Sequence, residues 1–123
     1  MKGIAGHGPP VSFVERSVLK MLAKLRVRFR HRTFVVGHEV DFLVARPGRR
    51  GLIIEVDGDL YHFDEAKRAK RDGVLEQAGW DVVHFWGSEV VQTPKLVLAK
   101  IETELEGVPR IPKKTRRRPR GRL

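Results

Sequence analysis

The sequence contains no cysteine among its 123 residues. Within it, disulfide frameworks, zinc–thiolate sites and cysteine nucleophiles are therefore excluded, and the composition agrees with a reducing cytoplasm. Long apolar runs are also missing, because nowhere do about 18 apolar residues follow one another, as a membrane-spanning helix requires. We expect a soluble, cytoplasmic protein without a signal peptide. With 41% hydrophobic residues, the chain is long enough for one domain with one core.

Acidic residues are missing from residues 110–123, which carry eight Lys and Arg side chains. The whole chain has 25 basic and 15 acidic residues, so the remainder is close to neutral. We predict one globular domain over residues 1–109 and a disordered, nucleic-acid-binding arm over residues 110–123. A merely solubilising tail is the alternative. The arm residues predicted to contact nucleic acid are Lys113, Lys114, Arg116, Arg117 and Arg118.

A second basic cluster alternates along the chain as Arg26, Arg28, Arg30 and Arg32, with no acid between Glu15 and Glu39. A period of two predicts a strand with guanidinium groups along one face, and guanidinium groups bind phosphates well. Protection of an edge strand by charge is the alternative interpretation. On a later predicted helix, Lys67 and Arg71 lie one turn apart and are further candidates for nucleic-acid contact, or simply a solvated helix surface.

Hydrophobic periodicity predicts the order helix, three strands, helix, strand, helix. The first helix is capped by Ser12, the second by Asp64, and the last begins at Thr93 and Pro94. The strands are predicted over residues 26–31, 34–44, 51–57 and 80–85. This order predicts an α/β sandwich with a mixed sheet and a right-handed crossover before the last strand.

Two carboxylates, separated by one residue, end the short apolar run within residues 52–58. Such a run predicts a strand buried on both faces, on which Glu55 and Asp57, two residues apart, share a face. The turn-rich residues 46–51 predict a hairpin that brings Asp41 across from the end of this strand. Neighbouring buried carboxylates require a compensating cation or several hydrogen-bond donors. Their hard oxygens suit Mg²⁺ or Mn²⁺, and salt bridges to nearby arginines are the alternative.

Seven short stretches follow one another in a specific order and spacing within about residues 15–105. They are Val40-Asp41-Phe42, Ile54-Glu55-Val56-Asp57-Gly58, Tyr61-His62-Phe63, Lys70-Arg71-Asp72, Leu75, Gly79-Trp80 and Val83-His84-Phe85-Trp86. Together they resemble the very-short-patch-repair-like endonucleases of the PD-(D/E)XK nuclease superfamily. The resemblance implies a three-layer, restriction-endonuclease-like α/β sandwich with a mixed four-stranded sheet flanked by helices.

The resemblance also implies roles for individual residues. Asp41, Glu55 and the backbone carbonyl of Val56 are expected to hold the metal. His62 is expected to assist proton transfer, because imidazole titrates near neutrality. Glu15 matches an acid of the family and would bind a second metal or the metal's water. The superfamily places a Lys two residues after the metal-binding Glu, but here that residue is Asp57. Metal binding, a general-base role and hydrogen bonding to the adjacent turn all stay open for it.

The sequence therefore predicts a Mg²⁺- or Mn²⁺-dependent DNA endonuclease that leaves a 5′-phosphate, in a repair, restriction or mobile-element context. A non-catalytic nucleic-acid-binding module and the effector subunit of a toxin-type system are the alternatives. The missing motif Lys favours the binding module, whereas the three retained acids and His62 favour the nuclease. DNA is the expected partner and a membrane is not. A homodimer or a partner protein stays open, because a double-strand cut requires two sites or two events.

Overall fold

The computed structural model describes residues 12–58 and 65–113. In these two ranges the elements are, in chain order, α1 (Phe13–Leu25), β1 (Phe29–Val35), β2 (His38–Val44), β3 (Gly51–Asp57), α2 (Glu65–Gln77), β4 (Trp80–Trp86), α3 (Gly87–Gln92) and α4 (Pro94–Glu104). None of the helices in these ranges is both long and apolar enough to cross a membrane.

The four strands form one mixed sheet in the order β1-β2-β3-β4. The pairs β1–β2 and β2–β3 are antiparallel, as the predicted hairpin requires, and β3–β4 are parallel. Parallel neighbours need a long connection, which α2 and its flanking residues supply. In this register Glu55 lies opposite His84, and Asp57 lies opposite Trp86. The carboxyl ends of β3 and β4 therefore bring these side chains to one end of the sheet.

Helices cover both faces of the sheet, which gives the predicted three layers. On one face, side chains of α1, α3 and α4 pack against residues such as Phe42 and Ile54. On the other face, Leu75 of α2 packs against Val40 and Ile53. Leu22 of α1 and Leu75 are fully buried, and burying one such side chain stabilises the fold by roughly 1.5–3 kcal/mol.

The predicted bounds of the first two strands are wrong. Arg26 ends α1 in the left-handed conformation (φ 57°) and bonds back to the carbonyl of Ala23, so β1 begins only at Phe29. The strand predicted over residues 34–44 is divided by a turn at Val36 (φ 41°) and Gly37 (φ 82°). Two consecutive positive φ values are typical of a tight hairpin turn. The apolar run Phe34-Val35-Val36 leads into this turn with Gly37 as its one turn-forming residue, and for that reason the sequence pattern missed it.

The predicted starts of the first and last helices are confirmed. The Ser12 hydroxyl accepts a hydrogen bond from the Glu15 amide at 3.0 Å, and α4 begins with Pro94. The short helix α3 was not predicted, because six residues are too few to show a helical period. Its first turn is held by Glu89, whose carboxylate accepts from the Trp86 amide at 2.8 Å. The predicted cap Asp64 lies outside the described residues.

The first residues of the predicted arm still contact the domain. The Ile111 amide donates to the Arg26 carbonyl at 2.6 Å, and the Arg110 guanidinium donates to the Leu25 carbonyl at 2.9 Å. Val108 just before them is buried in the core. Residues 108–111 are thus attached to the end of α1, although the composition predicts that the arm begins at residue 110.

Candidate active site

Asp41 and Glu55, which we call the acidic pair, lie next to the last paired residues of the β2–β3 ladder. Backbone pairing joins residues 42–44 to residues 52–54. Beyond it, Oδ2 of Asp41 accepts from the Val56 amide at 2.8 Å, and Oε2 of Glu55 accepts from the Asp41 amide at 3.0 Å. The carboxylates thus satisfy backbone donors that the ladder leaves unpaired. These bonds hold both side chains at the place where the strands separate.

The acidic pair carries negative charge that its surroundings compensate only in part. Burial raises the pKa of Glu55 to about 7, and the charge of Asp41 adds to this effect. Burial likewise raises the pKa of Asp41, and the charges of Glu15 and Asp57 add to it. The nearest cation is Arg71, whose Nη2 lies 3.2 Å from Oε1 of Glu55. A divalent cation would relieve the remaining repulsion.

The donor set of the acidic pair fits a hard divalent cation. Each carboxylate gives one oxygen to a backbone amide and keeps a second oxygen for other partners. In the described ranges, no three or more Asp, Glu or His side chains come together in a way that would hold a metal ion. Among the described residues, the protein ligands of a cation here would be two carboxylates and a carbonyl, with water completing the shell. Mg²⁺ suits such a site, because it is usually bound by one or two carboxylates and retains several waters.

A second group of charged side chains, the His84 cluster, consists of Asp57, Arg68, Asp72 and His84. Nδ1 of His84 lies 3.0 Å from Oδ2 of Asp57, and Nε2 lies 2.6 Å from Oδ2 of Asp72. The imidazolium form of His84 can donate from both ring nitrogens, which suits two carboxylates because ionised carboxylates only accept hydrogen bonds. The hydrogen bond to Asp57 raises the pKa of His84, opposed by burial and reinforced by Asp72.

Asp57 occupies the position of the superfamily Lys and is surrounded by cations. Besides His84, the Arg68 guanidinium donates to Oδ2 of Asp57 at 3.2 Å. Asp57 accepts hydrogen bonds in this geometry, but its partners among the described residues are Arg68 and His84 and not the adjacent turn that the sequence suggested. Its described partners are side chains of α2 and β4. The structure therefore places positive charge next to Asp57, although Asp57 itself is acidic.

Glu15 lies in an ion pair on the other side of the acidic pair. Its two oxygens accept from Nε and Nη2 of Arg32, both at 3.0 Å, and Nε2 of His31 lies 2.5 Å from Oε2. Burial raises the pKa of Glu15, but the hydrogen bonds from Arg32 and His31 outweigh it and hold the pKa below its usual value. The carboxylate is thus already compensated, which favours a structural role over metal binding.

The arginines predicted to form one row have separate surroundings. Arg26 donates from Nε to the Ile111 carbonyl at 2.9 Å, and Arg32 binds Glu15. The side chains of Arg28 and Arg30 are exposed and form no hydrogen bond or ion pair with any described residue. The predicted single face of guanidinium groups is therefore wrong, because Arg26 ends a helix and Arg32 has a positive φ of 53°.

The remaining residues that the sequence predicts for catalysis or nucleic-acid binding lie on the surface, in the site or outside the described residues. Lys67 and Lys113 are exposed. Arg71 lies within the site, where it also donates to the Glu39 carbonyl at 2.7 Å. The candidates outside the described residues are His62, Lys114, Arg116, Arg117 and Arg118.

Sequence reasoning assigned no role to His84, Arg68 and Asp72, although His84 and Asp72 belong to two of the stretches that carry the family resemblance. The histidines of the chain show no ligand spacing, so His84 received no role. A usable signal was present, because His84 is a lone imidazole in an otherwise mostly apolar strand, opposite Glu55. Its meaning depends on α2, which brings Asp72 and Arg68 to it.

Comparison with known proteins agrees with this fold and places the chain in a nuclease superfamily. The catalytic domain of the homing endonuclease I-Bth0305I superposes with a TM-score of 0.62 at 22% identity, over 75% of this chain and 92% of that domain. At this level of identity the likeness shows the fold, a restriction-endonuclease-like mixed sheet flanked by helices. The sequence profile of the family REase_MTES_1575 matches residues 14–105, and the chain belongs to this family.

A curated relative is the uncharacterized protein YcjD of Escherichia coli strain K12. It is 29% identical over 94 residues, which are 74% of this chain and 78% of that protein. The match thus spans most of both chains. The narrower resemblance to very-short-patch-repair endonucleases stays a prediction.

Proposed function

We propose that the protein is a metal-dependent DNA endonuclease that hydrolyses phosphodiester bonds and leaves a 5′-phosphate. The observation that carries this proposal is the acidic pair. Two mutually repelling carboxylates are fixed by backbone bonds where β2 and β3 separate, and the pKa of Glu55 is raised to about 7. Membership of a restriction-endonuclease-like family supports the same activity.

Asp41 and Glu55 would hold Mg²⁺ or Mn²⁺ in this proposal, together with the Val56 carbonyl. The N–H and C=O groups of one strand residue point to the same side of the strand. Because the Val56 amide donates to Asp41, the Val56 carbonyl faces that side as well. A bound divalent cation supplies an activated water and stabilises negative charge on the phosphoryl oxygens.

Arg68 and His84 would take over the electrostatic task of the missing motif Lys. Both bind Asp57 and bring positive charge to the end of β3, within the same site as the acidic pair. Fixed positive charge near a phosphoryl group stabilises the developing negative charge of the transition state. Arg68 is further positioned by Trp86, with its guanidinium carbon 5.7 Å from the ring centroid.

A non-catalytic nucleic-acid-binding module is the second candidate function. The ion pair between Arg71 and Glu55 favours it, because this arginine occupies the side of Glu55 on which a metal would compete. Arg71 has two other acceptors within reach, the Glu39 carbonyl and Asp72. Its guanidinium group would therefore keep these partners if a cation displaced it from Glu55.

Nicking of supercoiled plasmid separates the two functions. We expect the wild type to nick with Mg²⁺ or Mn²⁺ and not in EDTA. Asp41→Asn and Glu55→Gln should each lose nicking, whereas Glu102→Gln, which makes the same charge change at an exposed position of α4, should retain it. Resealing of the product by a DNA ligase would identify the 5′-phosphate. Folded wild type that binds DNA but never nicks it with either metal would favour the binding module.

A further inference from the structure

A cleft of about 200 Å³ opens on the α2 side of the sheet, at the end far from the carboxyl ends of β3 and β4. Its walls come from the start of β1, the end of β2 and the start of β4. The lining residues are Arg28, Phe29, Arg30, Leu43, Ala45 and Trp80. This lining contains no acidic side chain and combines two guanidinium groups with an apolar floor.

The floor of the cleft exists because residue 51 is glycine. The indole of Trp80 lies over Gly51, and a Cβ on Gly51 would overlap its six-membered ring. The ring can therefore cross β3 and reach the β2 residues Leu43 and Ala45. Trp80 is only partly buried, so part of its surface is accessible to a ligand.

The guanidinium groups of this cleft are available to a ligand. Arg28 and Arg30 are exposed and have no hydrogen-bond or ion-pair partner among the described residues. The acid beside Trp80 in the sequence, Asp81, is already paired with Arg46 and Arg50 at 2.5 and 2.9 Å. Arginine binds phosphate oxygens in pairs, and aromatic rings stack on bases.

We propose that this cleft holds an unpaired base of a bound nucleic-acid strand on Trp80, with Arg28 and Arg30 on the adjoining phosphates. This rests on the proposed function only in that the ligand is a nucleic acid. Leu43 and Ala45 lie two residues apart on β2 and its extension, so they share one face of the sheet. Ala45 lies four residues, or about 13 Å, from Asp41. The cleft thus positions the strand at a distance from the acidic pair.

The attached C-terminal segment adds positive charge at the end of the domain where the cleft lies, which favours a polyanion as the ligand. Ile111 is bonded to Arg26, which lies two residues before Arg28, or at most about 7 Å along the chain. The described end of the C-terminal segment, which carries Arg110 and Lys113, therefore begins close to the cleft. A nucleic-acid strand in the cleft would meet this positive charge as well.

Tryptophan fluorescence tests for the base directly. The chain has two tryptophans, so Trp86→Phe leaves Trp80 as its only indole. We expect a single-stranded oligonucleotide, titrated in EDTA, to quench this emission. An oligonucleotide of equal length whose central nucleotides are abasic should bind about 5- to 100-fold more weakly, the range expected for loss of a stacked base, and should quench less. Equal affinity and equal emission for the two probes would overturn the proposal.

Charge variants test the phosphate contacts. Arg28→Ala/Arg30→Ala should weaken binding by about tenfold or more, whereas Lys95→Ala/Lys100→Ala, an equal charge loss on α4, should change it little. Equal losses in both pairs would show that only total charge counts and would overturn the assignment. Trp80→Leu keeps an apolar floor without a ring. If it melts like the wild type, it should bind normal and abasic probes equally.

These binding measurements are independent of cleavage. If the wild type never nicks DNA but Trp80 still responds to the base, the cleft stands and the nuclease proposal fails. If metal-dependent nicking requires the acidic pair but Trp80 and the two arginines have no effect on binding, the cleft proposal fails alone.

Discussion

Nδ1 of His84 lies 3.0 Å from Oδ2 of Asp57, so a side-chain ion pair joins β4 to β3 beside their backbone ladder. His84 also bonds to Oδ2 of Asp72, and both carboxylates are mostly buried. We predict that His84→Ala lowers the free energy of unfolding by about 2–4 kcal/mol, because two like charges lose their common cation. Urea unfolding measures this change, with His38→Ala as a control on the same sheet.

The effect of His84 should depend on pH with a defined sign. The pKa of His84 is raised in the folded state above its ordinary value of 6.5. Its stabilisation is therefore complete below that ordinary value and is lost as the pH rises through the raised pKa. The difference between wild type and His84→Ala should be large at about pH 6 and smaller at about pH 9. A difference that stays constant over this range would indicate lost packing in place of a lost charge.

Glu55→Gln should have the opposite effect on stability. Because the folded-state pKa of Glu55 is about 7 against 4.5 ordinarily, the fold loses stability as the pH rises from 4.5 to about 7. Without metal, the variant should be more stable than the wild type at about pH 8 by at most about 3 kcal/mol, and similar at about pH 4. Gln keeps an oxygen for the Asp41 amide.

Added Mg²⁺ or Mn²⁺ distinguishes a metal site from a structural ion pair. A cation between Asp41 and Glu55 should raise the melting temperature of the wild type with increasing ion concentration, and of Glu55→Gln much less. If instead Glu55→Gln is less stable than the wild type at about pH 8, and the metal has no effect, the Glu55 carboxylate has a structural role in its ion pair with Arg71.

The acidic pair could be predicted from sequence because its position depends on local patterns. An apolar run, a turn-rich connection and alternation in the preceding strand suffice to bring Asp41 near Glu55. The same patterns predicted the mixed sheet, since a helix between Asp57 and Trp80 allows a parallel connection. These features depend on residues close in the chain and on the fixed geometry of strands.

The positions of the His84 cluster and of the four arginines could not be predicted from the spacing of polar and apolar residues. Asp72 reaches His84 only after α2 packs on the sheet, and no spacing in the sequence indicates this. Arg26 and Arg32 leave the expected row because their backbones have positive φ, which is uncommon for residues other than glycine. Tertiary packing therefore decided which arginines remain free for a ligand.

Gly51 should be sensitive to a single added methyl group. Gly51→Ala places a Cβ against the Trp80 ring and should lower the free energy of unfolding by about 1–3 kcal/mol, as overpacking does. A double-mutant cycle locates the cause, because Gly51→Ala in a Trp80→Leu background should cost clearly less. Gly73→Ala serves as the control, since a Cβ there meets no atom within 4 Å. Equal costs in both backgrounds would assign the effect to the backbone of β3.

Truncation separates the attached and the basic parts of the C-terminal segment. Ending the chain after Lys113 removes six Lys and Arg residues but keeps the bonds of Arg110 and Ile111 to the domain. The melting temperature should then stay unchanged, while the slope of log affinity against log salt should fall by up to about 5, since each phosphate that the protein no longer neutralises lowers it by about 0.9. Ending it after Pro109 should also lower the melting temperature, because the carbonyls of Leu25 and Arg26 lose their donors. An unchanged slope after the first truncation would make the segment beyond Lys113 a solubilising tail, and the search for phosphate-binding residues would turn to Arg28 and Arg30.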